Sequence, residues 1–257
     1  MKVARNELRT FQGLRRIVAR LRGPKGCPWD RVQTHQSLRG FLLEEASEVL
    51  YALDEGDIQL LREELGDLLL QILLHTQIAE EAGEFRMGDV IGGIAEKLVR
   101  RHPHVFGDAA APTPEAVVEQ WDDLKRRERG DKSALAGIPP GLPALAYAQA
   151  VQRRAEKEGF AFQSLDQVWE AVDEEMMELR GARTPEEQRE EVGDLLFAVA
   201  NLARWLGADA EDSLRSTCHG FAALFRRVEA LARERGISLH DAPMEEKLAL
   251  WEKAKRA

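Results

Sequence analysis

The sequence predicts an all-α protein made of two similar helical units. Apolar residues recur at spacings of three and four along much of the chain, as one face of an α-helix requires. A sustained apolar–polar alternation bounded by turns, which is the signal of a strand, is missing. Three short segments also occur twice in the same order, about 130 residues apart. These observations together indicate a tandem repeat of helical bundles.

Composition sets limits on the class of protein. The chain has 257 residues, of which 44% are hydrophobic and 32% are charged, so it can form a packed core. Its 36 basic and 45 acidic residues give a net charge of −9, which argues against a nucleic-acid polymer as partner. No apolar run is long enough for a membrane span or signal peptide, so we expect no membrane partner. Two cysteines, Cys27 and Cys218, cannot form a disulfide framework, so we expect a cytoplasmic protein. We also expect Cys218 to be buried.

The helices of the two units are predicted from their apolar faces. One set of residues precedes an acidic turn at 54–57 and a second set follows it, so they predict a helix–turn–helix pair. A third set repeats the pattern late in the chain. The three sets are Leu42, Ala46, Val49, Leu50 and Leu53; Leu61, Leu65, Leu68, Leu69, Ile72 and Leu73; and Val192, Leu195, Leu196, Val199 and Leu202.

Two stretches rich in Pro, Gly and Ala interrupt the helical pattern in the middle of the chain. They span residues 109–114 (AAAPTP) and 133–143 (SALAGIPPGLP). Such composition favours loops and linkers. We therefore predict two domains, 1–132 and 133–257.

An internal repeat supports this division. Residues 44–48 match 174–178, and residues 62–69 match 189–196, so the connection between the two motifs is three residues shorter in the second copy. Trp121 and Lys125 match Trp251 and Lys255. Three ordered matches indicate the tandem duplication of one helical unit.

Each copy carries the acidic pattern EExxE followed by ExxD. Residues three apart share a helix face, so Glu45 lies beside Glu48, and Glu64 beside Asp67. Two antiparallel helices would bring these four carboxylates together, and Gly66 would allow a close approach of the helices. The corresponding residues of the second copy are Glu175, Glu178, Glu191 and Asp194.

A cluster of carboxylates must take up protons or bind cations. Oxygen ligands suit Mg²⁺, with Mn²⁺ as a possible substitute, and carboxylate-bound Mg²⁺ commonly recruits phosphate oxygens. The alternatives are a solvated acidic helix face and a di-iron site. The di-iron site would require Glu-x-x-His pairs, whereas His75 lies eight residues after Asp67.

Candidate substrate contacts follow the carboxylates in the sequence. Lys97, Arg100 and Arg101 could bind the outer phosphates of a polyphosphate, or they could be the basic end of a helix that stops before Pro103. Trp121 could stack on a nucleobase with Lys125 near phosphate, or it could be a core anchor with a surface lysine. His102 and His104 are more typical of packing or capping, and Trp29 could cover the site or pack on the N-terminal helix.

Several motifs together resemble the MazG family of nucleoside triphosphate pyrophosphohydrolases in its long, two-copy form. They are GCPWD at 26–30, QTH at 33–35, LLEE at 42–45, EELGDLL at 63–69, RRHPHVF at 100–106 and IPPGLPA at 138–144. The resemblance implies all-α, Mg²⁺-dependent enzymes that hydrolyse NTPs or dNTPs to the monophosphate and pyrophosphate. It also implies homodimers whose helices complete the bundles.

The resemblance assigns roles to the candidate residues. The metal ligands would be Glu45, Glu48, Glu64 and Asp67 in the first copy and Glu175, Glu178, Glu191 and Asp194 in the second. Lys97, Arg101, Trp121 and Lys125 take the nucleotide-contact positions, and the repeat adds Trp251 and Lys255. Glu44, and Glu174 in the second copy, are our candidates for the residue that orients or deprotonates the water attacking the α-phosphorus. Arg100 would join Lys97 and Arg101 in stabilising the leaving charge.

The second copy departs from the family pattern at two basic positions. Gly220 and Leu224 stand where the family has Lys and Arg, although Arg226 and Arg227 lie close by in a shifted alignment. We therefore expect the N-terminal site to be the more active one.

Three functions remain open in the sequence. The first is a pyrophosphohydrolase of broad base specificity, favoured because few residues could read base edges. The second is a narrower enzyme for dUTP or a phosphoribosyl nucleotide. The third is a non-catalytic helical regulatory or interaction protein.

Overall fold

The computed structural model describes residues 7–256, which contain twelve α-helices and no strand. The all-α prediction is thereby confirmed. The helices are α1 Phe11–Arg22, α2 Pro28–Arg31, α3 Arg39–Glu55, α4 Ile58–Ala82, α5 Met87–Arg101, α6 Pro103–Phe106, α7 Pro114–Arg129, α8 Ala144–Lys157, α9 Leu165–Gly181, α10 Pro185–Trp205, α11 Ala210–Glu234 and α12 Met244–Arg256. Within these residues, no helix is both long and apolar enough to cross a membrane.

The chain forms two compact units that divide between Glu128 and Arg129. This division lies close to the boundary expected after residue 132. The first unit contains α1 to α7, and the second contains α8 to α12 with the linker that precedes α8.

The first unit is organised around the antiparallel pair α3 and α4. Gly56 ends α3 with a positive φ of 66°, which glycine adopts without strain. Asp57 then caps α4, because its carboxylate accepts hydrogen bonds from the N–H groups of Gln59 and Leu60 at 2.9 and 3.0 Å. The turn is shorter than the one expected at 54–57, because Asp54 and Glu55 still belong to α3 and only Gly56 and Asp57 link the two acidic helices.

Helix α1 packs against the far half of α4, away from the acidic motifs. Arg15 pairs with Glu80 at 3.1 Å, and Arg22 pairs with Glu81 at 2.8 Å. Beneath these ion pairs lies an apolar core of Val18, Leu38, Leu73, Leu74 and Met87. This core holds the second half of α4 in place and leaves the first half of α4, which carries the acidic motif, outside it.

The second unit repeats the helical pair with α9 and α10. Its connection is shorter because α9 ends at Gly181, three residues after Glu178, whereas α3 continues for seven residues after Glu48. Thr184 caps α10 by accepting from the N–H of Glu187 at 3.2 Å. The end of α9 is therefore four residues shorter than the end of α3, and the link at 182–184 is one residue longer than the link at 56–57, which gives the net difference of three.

The apolar faces of the helical pairs are only partly covered within the chain. Leu73 is 2% exposed, but Leu65 and Ile72 on the same helix are 50% and 43% exposed. The second unit shows the same exposure at Val192 and Val199. Monomeric proteins seldom leave so much apolar surface on helix faces in contact with water.

Two local expectations are wrong. A Cβ on Gly66 or Gly193 would meet no atom within 4 Å in the described part of the chain, so neither glycine serves a close approach of helices in one chain. Cys218 on α11 is exposed, whereas we expected it to be buried.

Candidate functional site

The α3–α4 pair brings the acidic side chains of the first unit together. Carboxylate oxygens of Glu45, Glu48 and Glu64 lie within 4.8 Å of one another. Asp67 falls outside this trio, but its charge acts on both Glu45 and Glu64. The structure therefore gathers the four predicted residues in one region, with three of them in ligand range of a single point.

Burial and mutual repulsion raise the pKa of two of these carboxyl groups. Glu64 is only 9% exposed, and its pKa is raised first by burial and then by the charges of Glu48 and Asp67. The pKa of Glu45 is raised by burial and by Asp67, while a hydrogen bond from Gln71 lowers it. The charges that act on both groups are all negative, so no positive charge among the described residues offsets them.

The second unit forms a matching cluster. Carboxylate oxygens of Glu175, Glu178 and Glu191 also lie within 4.8 Å of one another. Burial raises the pKa of Glu175 and Glu191, and the charge of Asp194 raises both further. The same arrangement on an independent helical pair shows that the fold, rather than chance surface composition, places these acids together.

The donor chemistry of both clusters fits a hard divalent cation. Every candidate ligand is a carboxylate oxygen, and the side chains repel one another when all are ionised. A cation such as Mg²⁺ would remove that repulsion, and an all-oxygen set is the one that Mg²⁺ prefers. Glu44 and Glu174 lie beside the clusters on exposed positions and act on their neighbours Glu45 and Glu175 only as charges.

Arg100 and Arg101 of the first unit lie where α5 and α6 contact α7. Arg100 and Arg101 end α5 and both donate to Glu128 of α7, at 2.8 and 2.5 Å. His102 contacts Trp121 edge-on with ring centres 5.0 Å apart. His104 Nδ1 lies 2.9 Å from the amide oxygen of Gln120. Four residues of the RRHPHVF motif thus contact α7, whereas Val105 and Phe106 at its end are 63% and 62% exposed.

The predicted packing role of the two histidines agrees with these contacts. His102 Nδ1 donates to the carbonyl oxygen of Leu98 at 2.7 Å, which satisfies the end of α5 before Pro103 begins α6. The basic residues therefore do lie at a helix C-terminus. Helix termination alone leaves unexplained why both arginines converge on one point.

Two buried donors on this surface lack an acceptor. Arg101 Nε and Trp121 Nε1 are both shielded from solvent and make no hydrogen bond among the described residues. Lys125 lies over the Trp121 ring, 5.8 Å from its centre. Buried donors are normally paired, so the free Nε–H of Arg101 and the free indole N–H of Trp121 show that the polar groups of this surface are not all satisfied among the described residues.

The second unit has an apolar surface at the matching place. Leu224, at the position of Arg101, packs with Trp251 against the cluster around Val228 and Leu250. Phe221 contacts Trp251 with the two rings tilted by 42° and their centres 5.2 Å apart, and Lys255 lies over the same indole at 5.9 Å. The tryptophan and lysine are kept, but a leucine replaces the guanidinium.

Sequence reasoning missed two residues on these surfaces. Gln71 bonds to Glu45, and its Oε1 is buried without a partner. Glu128 holds both arginines. Gln71 was detectable from its spacing of seven from Glu64, which places it on the acidic face. Glu128 was detectable from its spacing of seven from Trp121.

The remaining candidate from the sequence is Trp29, which was expected either to cover the site or to pack on the N-terminal helix. Trp29 is 50% exposed on the short helix α2 and contacts Phe41 of α3 edge-on, with ring centres 5.6 Å apart. Through this contact Trp29 packs on α3, the helix that carries Glu45. The loop before α2 requires glycine, since a Cβ on Gly26 would lie 2.0 Å from the Leu21 carbonyl oxygen.

Taken together, the fold and the site define an all-α protein with two acidic clusters on helical pairs and a basic surface in its first unit. Residues 33–106 match the family described as the MazG nucleotide pyrophosphohydrolase domain. The chain is 44% identical over 247 residues to the nucleoside triphosphate pyrophosphohydrolase/pyrophosphatase MazG of Thermotoga maritima, which covers 95% of each chain. It is 43% identical over 249 residues to the nucleoside triphosphate pyrophosphohydrolase of Escherichia coli K12, covering 93% of this chain and 95% of that protein. The chain belongs to the MazG family of nucleotide pyrophosphohydrolases.

Proposed function

We propose that the protein is a Mg²⁺-dependent nucleoside triphosphate pyrophosphohydrolase. It would hydrolyse NTPs and dNTPs to the monophosphate and pyrophosphate, with Mn²⁺ as a possible substitute for Mg²⁺. The observation that carries this proposal is the cluster of Glu45, Glu48 and Glu64, whose oxygens lie within 4.8 Å on a helical pair. The names of the two full-length relatives support the reaction class.

Different residues of the chain would bind the metal, activate the water and bind the phosphates, according to their side-chain chemistry. Glu45, Glu48, Glu64 and Asp67 would hold Mg²⁺, which when bound polarises the phosphoryl group and makes water more acidic. Glu44 would orient the attacking water or accept its proton. Lys97, Arg100 and Arg101 would hold the outer phosphates and stabilise the leaving pyrophosphate.

The aromatic and lysine pair on α7 would contact the rest of the nucleotide. Lys125 lies over Trp121, so both point to one side of the helix. Such a pair offers one flat apolar face and one positive charge, which suits a nucleoside and its phosphate. Trp251 and Lys255 offer the same pair in the second unit.

We also propose that the functional form is a homodimer. The helical pairs leave large apolar side chains exposed, and a second copy would cover them and complete the bundles. Sedimentation equilibrium would show a dimer mass at micromolar concentration, whereas a monomer at that concentration would contradict this part of the proposal.

The experiment that tests the reaction is product analysis in ¹⁸O-labelled water. ATP and the four dNTPs are incubated with the protein and Mg²⁺, and the products are resolved. Monophosphate carrying the label, together with unlabelled pyrophosphate, establishes attack at the α-phosphorus. Diphosphate and phosphate, or products that persist after chelation of the metal, would contradict the proposal. Turnover of dUTP alone would favour the narrower enzyme.

Glu44 is tested by a matched pair of variants on the same helix. Glu44→Gln should lower kcat by about 100-fold, as loss of a general base typically does, while Mg²⁺ binding is kept. Glu55→Gln, at the exposed C-terminal end of α3, is the control and should retain activity. Loss of Mg²⁺ binding in Glu44→Gln would make that residue a ligand instead.

A further inference from the structure

One carboxylate on α7 engages two consecutive arginines of α5. Glu128 Oε1 accepts from Nε of Arg100 at 2.8 Å, and Glu128 Oε2 accepts from Nη2 of Arg101 at 2.5 Å. Each carboxylate oxygen therefore serves one guanidinium. These bonds lower the pKa of Glu128 to about 2, so the bridge is fully ionised at neutral pH.

Helix geometry makes this convergence unexpected. Consecutive residues of an α-helix point about 100° apart, so Arg100 and Arg101 would normally diverge. Like charges also repel, which favours divergence further. A single anion between the two guanidiniums is what brings them to one place.

The bridge leaves donors of both arginines free for another acceptor. Arg100 uses Nε, so its terminal nitrogens are available, and its side chain is 56% exposed. Arg101 uses only Nη2 in the bridge, and its side chain is 23% exposed. An ordinary surface ion pair, by contrast, contributes little and orders little.

We infer that Glu128 is a positioning residue that holds Arg100 and Arg101 together as one phosphate-binding unit. The inference rests on the proposed function, because it assigns the pair to the outer phosphates of the substrate. Glu128 itself does not touch substrate; it acts by fixing the direction of the two guanidiniums.

The negative charge of Glu128 allows a decisive test, because its removal changes anion affinity in opposite directions by two physical effects. Removal of a negative charge beside a phosphate site strengthens anion binding if charge alone matters. Loss of positioning weakens it, because the two arginines separate. Carboxylates that orient binding residues in metal sites contribute about 10- to 100-fold in affinity, and for this half-exposed pair we expect about 5- to 10-fold.

The experiment measures binding of inorganic tripolyphosphate by calorimetry at fixed Mg²⁺, alongside KM and kcat for ATP. Glu128→Gln should weaken tripolyphosphate binding and raise KM about 5- to 10-fold, with a smaller change in kcat. Glu128→Asp, which keeps the charge and both oxygens, should recover part of the loss. Glu119→Gln removes the same charge from an exposed position of α7 and is the control.

Each outcome bears on the inference separately from the reaction. Equal or tighter tripolyphosphate binding in Glu128→Gln, or no binding by the unmodified protein, overturns the positioning role even if NTP hydrolysis is observed. Glu128-dependent tripolyphosphate binding supports that role even if no NTP is hydrolysed, in which case the proposed function fails alone. Melting temperatures and circular dichroism of all variants exclude a general loss of folding as the cause.

Discussion

Gln71 donates a hydrogen bond from Nε2 to Oε1 of Glu45, across the α3–α4 pair at 3.4 Å. Gln71 is 5% exposed and lies one turn beyond Asp67 on the same helix. Its bond favours the ionised form of Glu45 and so opposes the burial and repulsion that raise the pKa of this group. The second unit has Ala198 at the matching position, and its Glu175 lacks this compensation.

We therefore predict that Gln71→Ala weakens Mg²⁺ binding at the first site. A proton competes with the metal for Glu45 once the hydrogen bond is lost, and the carboxylate is less well oriented. We expect about 3- to 10-fold weaker binding, at the low end for a residue that supports a ligand. Titration of Mg²⁺ in a Glu175→Ala background reads the first site alone. Gln77→Ala, whose amide bonds Glu81 instead, is the control and should leave affinity unchanged.

A second prediction concerns the stability of the metal-free protein. The pKa of Glu64 is raised in the folded state, so its contribution to stability is full below its unfolded pKa and is lost as pH rises through the raised value. At neutral pH the ionised carboxyl therefore opposes folding. Glu64→Gln should raise the melting temperature of the metal-free protein by a few degrees near pH 7 and remove most of the stabilisation by Mg²⁺.

Thermal unfolding with and without chelator checks this pair of effects. Glu55→Gln changes the same charge outside the cluster and should alter neither quantity. If the variant were less stable than the unmodified protein without metal and still responded fully to Mg²⁺, Glu64 would be a structural acid and not a ligand.

A third prediction concerns the two sites. Glu45→Ala should abolish most turnover, whereas Glu175→Ala should leave most of it, because the second unit has Ala223 and Leu224 where the first has Arg100 and Arg101, the proposed phosphate contacts. Steady-state kinetics with ATP measures both. The opposite asymmetry would show that the second unit binds phosphate by residues other than those matched here.

A gain-of-function variant tests whether the missing basic residues limit the activity of the second site. Gly220 is exposed on α11, and a Cβ there would meet no atom within 4 Å in the described part of the chain, so a longer side chain fits. In a Glu45→Ala background, Gly220→Lys should raise the residual turnover several-fold by supplying one missing phosphate contact. Gly220→Ala is the control for helix propensity. An unchanged rate with lysine would place the limit of the second site elsewhere, for example at Leu224.

Much of this architecture could be predicted from the sequence because it depends on local spacing. Glu45 and Glu48, or Glu64 and Asp67, share a face by helix geometry alone, and the turn at Gly56 and Asp57 follows from local chemistry. Contacts between distant segments could not be predicted in this way. The bond between Gln71 and Glu45 and the bridge from Glu128 to Arg101 depend on how helices pack. The exposure of Leu65 and Ile72 could not be predicted either, because periodicity identifies an apolar face without showing what covers it.

The last prediction concerns a pair of histidines, His75 on α4 and His35 in the segment before α3. His35 Nδ1 and His75 Nδ1 lie 2.8 Å apart with stacked rings, so one ring must accept and therefore be neutral at that atom. Burial lowers the pKa of His75, and the charge of His35 lowers it further; Glu84, 4.0 Å from His35 Nε2, is the nearby carboxylate. A lowered pKa means that the contribution of His75 to stability is full above the unfolded pKa of about 6.5 and is lost as pH falls through the folded value.

The melting temperature should therefore fall by several degrees between about pH 7.5 and pH 5.5, and by less in His75→Gln, which cannot take up the proton. His240→Gln, at an exposed position in the second unit, should behave like the unmodified protein. An identical pH dependence in all three proteins would place the acid sensitivity outside the His35–His75 pair.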